Sequence, residues 1–157
     1  MNWIRIYSQK DLNALLDTFG GFHDACSHEA HIWTQEFVNT DLSMNVPGQR
    51  NAAVRMLFQR QWKKPSAIEL LFEELVTLHY WPTQDNDDPS IFDATLLLSE
   101  GTIYWAGHEG WSPKDSDRDR VTWIAAKKLA WREASDWMGA ELRYHANPVF
   151  ECEREDG

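Results

Sequence analysis

Cysteine is scarce here: Cys26 and Cys152 are the only two in 157 residues. Two thiols cannot build the disulfide framework of a small secreted domain or a four-cysteine zinc site. With no secretory signal in view, they are expected to stay unbridged. Positive charge is also in deficit, since 15 Lys and Arg stand against 25 Asp and Glu and leave a formal net charge of −10. That balance argues against a general nucleic-acid binder and against a polybasic membrane-surface protein, because both must draw in phosphates. Long apolar runs are missing as well. No window approaches the roughly 18 apolar residues of a membrane span, and the opening MNWIRIYSQKDLNALLD carries no apolar stretch after a basic start. The expectation is a cytoplasmic chain. Nor is there a G-x-S-x-G, a P-loop, a dinucleotide fingerprint, an H-E-x-x-H or a C-x-x-C, which lowers the enzyme reading.

Aromatic area is plentiful. Nine Trp, seven Phe and four Tyr in a chain that is 43% hydrophobic can fill a core and exclude intrinsic disorder. The length suits one domain over 1–157. Ser8 precedes Gln9-Lys10-Asp11, and Leu12, Leu15, Leu16 and Phe19 follow at helical spacing before Gly20-Gly21. This predicts a capped amphipathic helix over 9–19, with Asp11 favourable at its positive end. Beyond it, segments rich in Val, Ile, Thr, Tyr, Phe and Trp alternate with Pro, Gly, Asn and Asp clusters, as strands and turns do.

The first strand is expected over Ala25 to Val38, with Ala30, Ile32 and Thr34 on one face and His31, Trp33 and Phe37 on the other. Val54, Met56 and Phe58 alternate with Arg55, Leu57 and Gln59. From Ile68 to Trp81 the pattern reads as one long bent or bulged strand, and a helix over 66–76 capped by Ser66 is the runner-up. Thr83 to Ser90 is an acidic loop. Phe92 to Trp105 reads as a hairpin turning at Glu100-Gly101, which pairs Leu98 with Ile103, Leu96 with Trp105 and Asp93 with His108. Phe92, Ala94, Leu96, Leu98, Ile103 and Trp105 then form its core face. A polar loop over 112–120 precedes a last strand, Val121 to Trp131. There Val121, Trp123, Ala125, Lys127, Leu129 and Trp131 alternate with Thr122, Ile124, Ala126, Lys128 and Ala130. Ser135 to Glu155 holds a short amphipathic piece, a break at Pro148 and an acidic end that is expected to fray. The predicted class is α+β: a mostly antiparallel sheet of about five to seven strands with the N-terminal helix packed on it.

Phe22-His23-Asp24-Ala25-Cys26-Ser27-His28-Glu29-Ala30-His31 is the densest group of ligand-type side chains. On a helix His28 and His31 would share a face, but the flanking glycines and β-rich stretch favour an extended chain that separates them. His23 and Asp24 are a candidate pair, either orienting an imidazole against a carboxylate or tying down a glycine-rich turn. Asp93 and His108 form a second candidate pair, which a structural reading explains as a weak cross-strand contact. The tryptophans between Trp62 and Trp137 lack the basic groove of a nucleic-acid stacking platform and are expected mostly as core or strand-face residues, with one or two exposed at an interface. No cofactor and no metal are expected.

A helix ending in a glycine turn, followed by Phe22-His23-Asp24-Ala25 and alternating strands, resembles the Imm50-like group of bacterial immunity-protein-type domains. The resemblance covers about the first forty residues, and Cys26-Ser27-His28 departs from the more apolar continuation of that pattern. It implies a small protein that neutralises a toxin by binding it, with no catalytic residues to carry over. Two readings follow: a non-enzymatic binding module for a basic partner such as a toxin, or a metal-assisted hydrolase using His23, Asp24 and His28. The oligomeric state is open.

Overall fold

The computed structural model describes residues 2–144. The helix forms where its signals lie: α1 spans Gln9–Thr18, capped by Ser8, whose Oγ accepts from the Asp11 N–H at 3.2 Å. Asp11 Oδ2 in turn accepts from the Tyr7 N–H at 2.8 Å, so the helix start is tied from both sides. Leu12, Leu15 and Phe19 are fully buried.

The strands are β1 (Ile4–Arg5), β2 (Ala25–Thr34), β3 (Phe37–Val38), β4 (Met44–Asn45), β5 (Ala52–Arg60), β6 (Ala67–His79), β7 (Thr95–Ser99), β8 (Thr102–Ala106) and β9 (Trp123–Glu133). Seven of them make one antiparallel sheet in the order β2-β5-β6-β9-β8-β7, with β1 also paired to β9; β3 and β4 form a separate two-stranded arm. The α+β class is thus the one the sequence predicts. The strand reading over 66–76 also holds, because β6 runs unbroken through it.

One face of the sheet packs on α1. Val54, Met56, Phe58, Ile68, Leu70 and Phe72 join the helix residues there, and Phe19, Phe22, Phe58 and Trp105 link edge-to-face or tilted at 5.0 to 5.1 Å between successive rings. The outer edge of β7 is closed by the helix itself: the Gln9 side-chain amide donates to Leu96 O and accepts from Leu98 N–H, at 3.2 and 2.9 Å. The second face carries Leu57 and several buried alanines. It is covered by residues 134–144, which return across it: Ala134 N–H donates to Ala67 O, and Gln59 Nε2 donates to the carbonyls of Trp137 and Gly139.

Three expectations need correction. The strand expected over 25–38 stops at Thr34, since Phe37 and Val38 instead pair with Asn45 and Met44 around the Asn39-Thr40-Asp41 turn. Phe92, expected in the core, is 72% exposed, because the hairpin ladder begins only at Thr95. Strict alternation sets Leu129 on the face opposite Ile124 and Ala126, yet all three lie in one core. The cause is in β6, where Glu74 adopts φ of 52° opposite the step from Ala126 to Lys128; the register slips further on, between Leu75 and Thr77. Core positions there run Ile68, Leu70, Phe72, then Leu75 and Leu78, and β9 follows its partner out of phase. The Pro148 break, the acidic end and Cys152 lie outside the described residues.

The hairpin register is the predicted one, with Leu96 against Trp105 and Leu98 against Ile103 across a turn in which Glu100 and Gly101 both have positive φ. Leu96 is 4% exposed. Leu96→Ala should therefore lower unfolding free energy by about 2 to 5 kcal/mol through lost transfer energy and a residual cavity. Replacing the exposed Glu100 by Asn, which tolerates positive φ, should change it by less than about 0.5 kcal/mol. Urea titration of the two variants checks both values.

Candidate functional site

The Phe-His-Asp segment forms a tight, left-handed turn. Gly20, Gly21, Phe22 and Asp24 have φ between 57° and 67°, and an added Cβ at Gly20 would lie 2.8 Å from Arg60 Nη1. The backbone angle favours glycine there, and any side chain would also have to push the end of the Arg60 guanidinium aside. The Arg60 guanidinium packs over the Phe19 ring at 4.6 Å, and its Nε donates to Pro65 O at 2.7 Å. The turn is stitched to the chain ahead of β7 by backbone bonds: Asp24 N–H to Ile91 O, Ile91 N–H to Ala25 O, and Ala94 N–H to Gly21 O.

His23 sits on that seam. Its Nδ1 lies 2.6 Å from Phe92 O, which can only accept, so Nδ1 carries the hydrogen. Asp24 Oδ2 is 3.4 Å from Nε2 and Asp93 Oδ1 is 3.9 Å from Nδ1; the Phe92 ring meets the imidazole edge-on at 5.1 Å. The structure thus joins His23, Asp24 and Asp93. It does not join His108 to them: the ladder ends at Thr95–Ala106, short of the expected Asp93–His108 pairing. The chain diverges there because Ala94 bonds to the turn while Gly107 N–H bonds to Thr122 O. His108 offers its carbonyl to Thr95 Oγ1 at 2.7 Å, and its side chain is exposed. His28 is on β2, with Nε2 donating to Glu141 O at 3.2 Å. Among the described residues no group of three or more His, Cys, Asp or Glu side chains converges as a metal ion would require.

A second constellation lies on the opposite face. Glu69 has no exposed side chain and directly opposes Arg132 across the β6–β9 ladder. Arg132 Nε donates to Glu69 Oε1 at 2.6 Å, and Tyr144 Oη donates to Oε2 at 2.7 Å. Arg55 Nε is 3.2 Å from Oε2, but off the line of its N–H, so this contact is an ion pair without a formed hydrogen bond. Aromatic rings cover both cations: Arg55 lies 4.0 Å over Tyr144, and Arg132 lies 4.3 Å over Trp3. Burial and the Glu69 carboxylate push the Tyr144 hydroxyl well above the usual phenol range. Sequence reasoning missed this group. Its signal was a lone Glu inside the apolar run Ile68 to Phe72, which must find a cation if it is buried.

At one end of the sheet the acidic loop 83–90 lies near the polar loop 112–120, whose Asp115, Asp117 and Asp119 are balanced by Lys114, Arg118 and Arg120. Trp81 N–H donates to Thr122 Oγ1 at 2.9 Å, and that hydroxyl donates back to Trp81 O at 3.2 Å. A cleft of about 200 Å³ between the loops is lined by Trp81, Asp87, Asp88 and Arg120 among others. Asp85, Asp87, Asp88 and Asp93 have no Lys or Arg among residues 83–93. Ser90 donates its N–H and hydroxyl to Asp88 Oδ1, both at 2.8 Å, which holds that carboxyl below the usual carboxylate range. Tyr80, Trp81 and Phe92 project beside these charges, at 67%, 41% and 72% exposure.

No known family, curated protein or solved structure matches this chain. No helix among the described residues is long and apolar enough to cross a membrane.

Two outcomes follow from the buried carboxylate. Glu69→Gln keeps the shape and leaves two partly exposed arginines unbalanced, so stability should fall by about 2 to 4 kcal/mol, less than for a fully buried pair. An unfolded tyrosine ionises near pH 10, whereas Tyr144 stays neutral in the folded chain. Its contribution is therefore complete below pH 10 and is lost as pH rises beyond it. Tyr144→Phe should be less stable by about 1 kcal/mol at neutral pH. It should also lose stability less steeply above pH 10, as denaturation across that range will read.

Proposed function

We propose that this chain is a non-enzymatic binding protein, immunity-like, that neutralises a basic protein toxin by covering it with the acidic end of the sheet. The observation carrying this reading is the acidic loop 83–90 beside the exposed Tyr80 and Trp81, with Phe92 and the His23–Asp24–Asp93 group on the adjoining turn. Exposed aromatic anchors ringed by carboxylates are what a binding surface for a cationic partner needs: the rings supply desolvated contact, and the charges steer encounter. The low-lying Asp88 carboxyl keeps part of that field intact as pH falls. The hydrolase reading gains no support, because His28 is held by the 134–144 segment and not beside His23. The Phe-His-Asp resemblance is consistent with a binding role, and in it the motif acts as a brace under Phe92.

The test needs a candidate basic toxin, and a secreted protein encoded beside this gene would be the first to take. The purified pair should form a complex whose association slows steeply with ionic strength while dissociation changes little. Trp81→Ala and Phe92→Ala should each weaken it by about tenfold or more, since exposed aromatic anchors commonly carry over 1 kcal/mol. Stopped-flow fluorescence reads both rates. Association indifferent to salt, or affinity unchanged in both variants, would remove this surface as the binding site.

A further inference from the structure

We propose that the cavity at the β5–β6 turn binds a small phosphate ester carrying a planar ring, such as a mononucleotide, with the phosphoryl group at Arg60 and Lys63 and the ring against Trp62. Arg60 is the residue that calls for an anion. It is 8% exposed, and no carboxylate pairs with it among the described residues. Arg5, Arg55, Arg118, Arg132 and Arg143 each have such a partner, while Arg50 and Arg120 stand exposed to water. A charge taken out of water without a counter-charge is costly, which is why buried charges are otherwise paired. What holds this guanidinium carries no full charge: Nε donates to Pro65 O at 2.7 Å, Nη2 donates to Thr18 O at a long 3.5 Å, and the Phe19 ring packs against it. Nη1 donates to nothing among the described residues. Burial, with nothing to offset it, lowers the pKa of the group from the ordinary arginine value.

The surroundings of Arg60 select the ligand. In a chain of net charge −10, no Asp or Glu occurs between Asp41 and Glu69, and Arg60, Lys63 and Lys64 fall together at the turn. Arg60, Gln61, Trp62, Lys63, Ser66 and Met138 line a cavity of about 640 Å³. That volume suits a small molecule. A guanidinium fork, an ammonium and the Gln61 amide supply the donors that the several oxygens of a phosphoryl group require. Trp62 is 73% exposed and Met138 40%, so the same cavity offers a ring both a stacking face and apolar cover. A polyanion is repelled by what lies alongside: Arg60 also lines a second cavity whose wall carries Asp24 and Asp88, and neither of them pairs with it. The described chain passes the site at Met138 and then follows β2, with Glu141 at His28 and Arg143 at Glu29, until Tyr144 lies over Arg55. It has left the cavity by that point. Trp81 and Phe92 line neither cavity, so the site is separate from the acidic surface proposed for the toxin.

Isothermal titration calorimetry of the full chain with AMP, inorganic phosphate and adenosine tests this. AMP should bind one per chain, with inorganic phosphate about tenfold weaker and adenosine weaker still. Lys63→Gln should weaken AMP and inorganic phosphate alike by about tenfold, since a charge-assisted contact is lost. Trp62→Ala should weaken AMP by about tenfold and erase its advantage over inorganic phosphate. Arg60→Gln should abolish binding of both. If that variant fails to fold, the test rests on Lys63→Gln and Trp62→Ala, whose side chains are exposed. AMP that does not bind at millimolar concentration overturns the proposal, as does adenosine binding as tightly as AMP. AMP no tighter than inorganic phosphate, affinity unchanged in both exposed variants, or an oligonucleotide bound more tightly than AMP overturns it too.

Discussion

A carboxylate shut away from water must be neutralised by its neighbours, and Glu69 in the middle of β6 imposes that demand on the whole second face of the sheet. Arg132 comes from β9, Arg55 from β5 and Tyr144 from the returning segment, so one side chain fixes how three parts of the chain lie together. A single helix of ten residues can cover only one face of so wide a sheet. The other face is closed by residues 134–144, and Glu69 is where that closure is pinned. Trp3 and Trp137 over Arg132 then add apolar cover to a site that is otherwise polar. Coulomb attraction and ring packing act here on the same guanidinium.

The first face is organised by backbone geometry more than by charge. Four left-handed residues between Gly20 and Asp24 turn the chain sharply enough to bring Phe22 under the sheet while His23 and Asp24 stay outside. Phe22 and Asp24 are not glycines, so this conformation stores strain that the surrounding bonds to Ile91, Phe92 and Ala94 must offset. The same turn thereby carries two duties. Its buried half completes the aromatic core, and its exposed half presents the candidate binding group beside Phe92.

The legible parts of the fold were those governed by local rules. The helix, its Ser8 cap and the Glu100-Gly101 hairpin follow from spacing and turn chemistry that need no distant partner. Asp93 and His108 show where such rules stop. Their register was right in arithmetic, but the ladder ends early because Ala94 and Gly107 find other backbone partners, Gly21 and Thr122. The irregularity at Glu74 is similar: period-two counting along β9 cannot see a change of phase that originates in its neighbour. Within the candidate site, the pairing of His23 with Asp24 was visible because the two are adjacent. Asp93 was expected elsewhere, and the Glu69 group was invisible, since its members are separated by more than sixty residues in sequence on the Arg132 side.

Gln9 also changes how the parts of this molecule open. Its amide stands in for one residue of a missing strand, so the first turn of α1 and the middle of β7 share two hydrogen bonds that cannot break separately. Fraying of the helix start exposes the Leu98 amide, and peeling of β7 unseats the helix. The helix start is in this way tied to the hairpin, so opening of either is expected to loosen the other despite the eighty-odd residues between them.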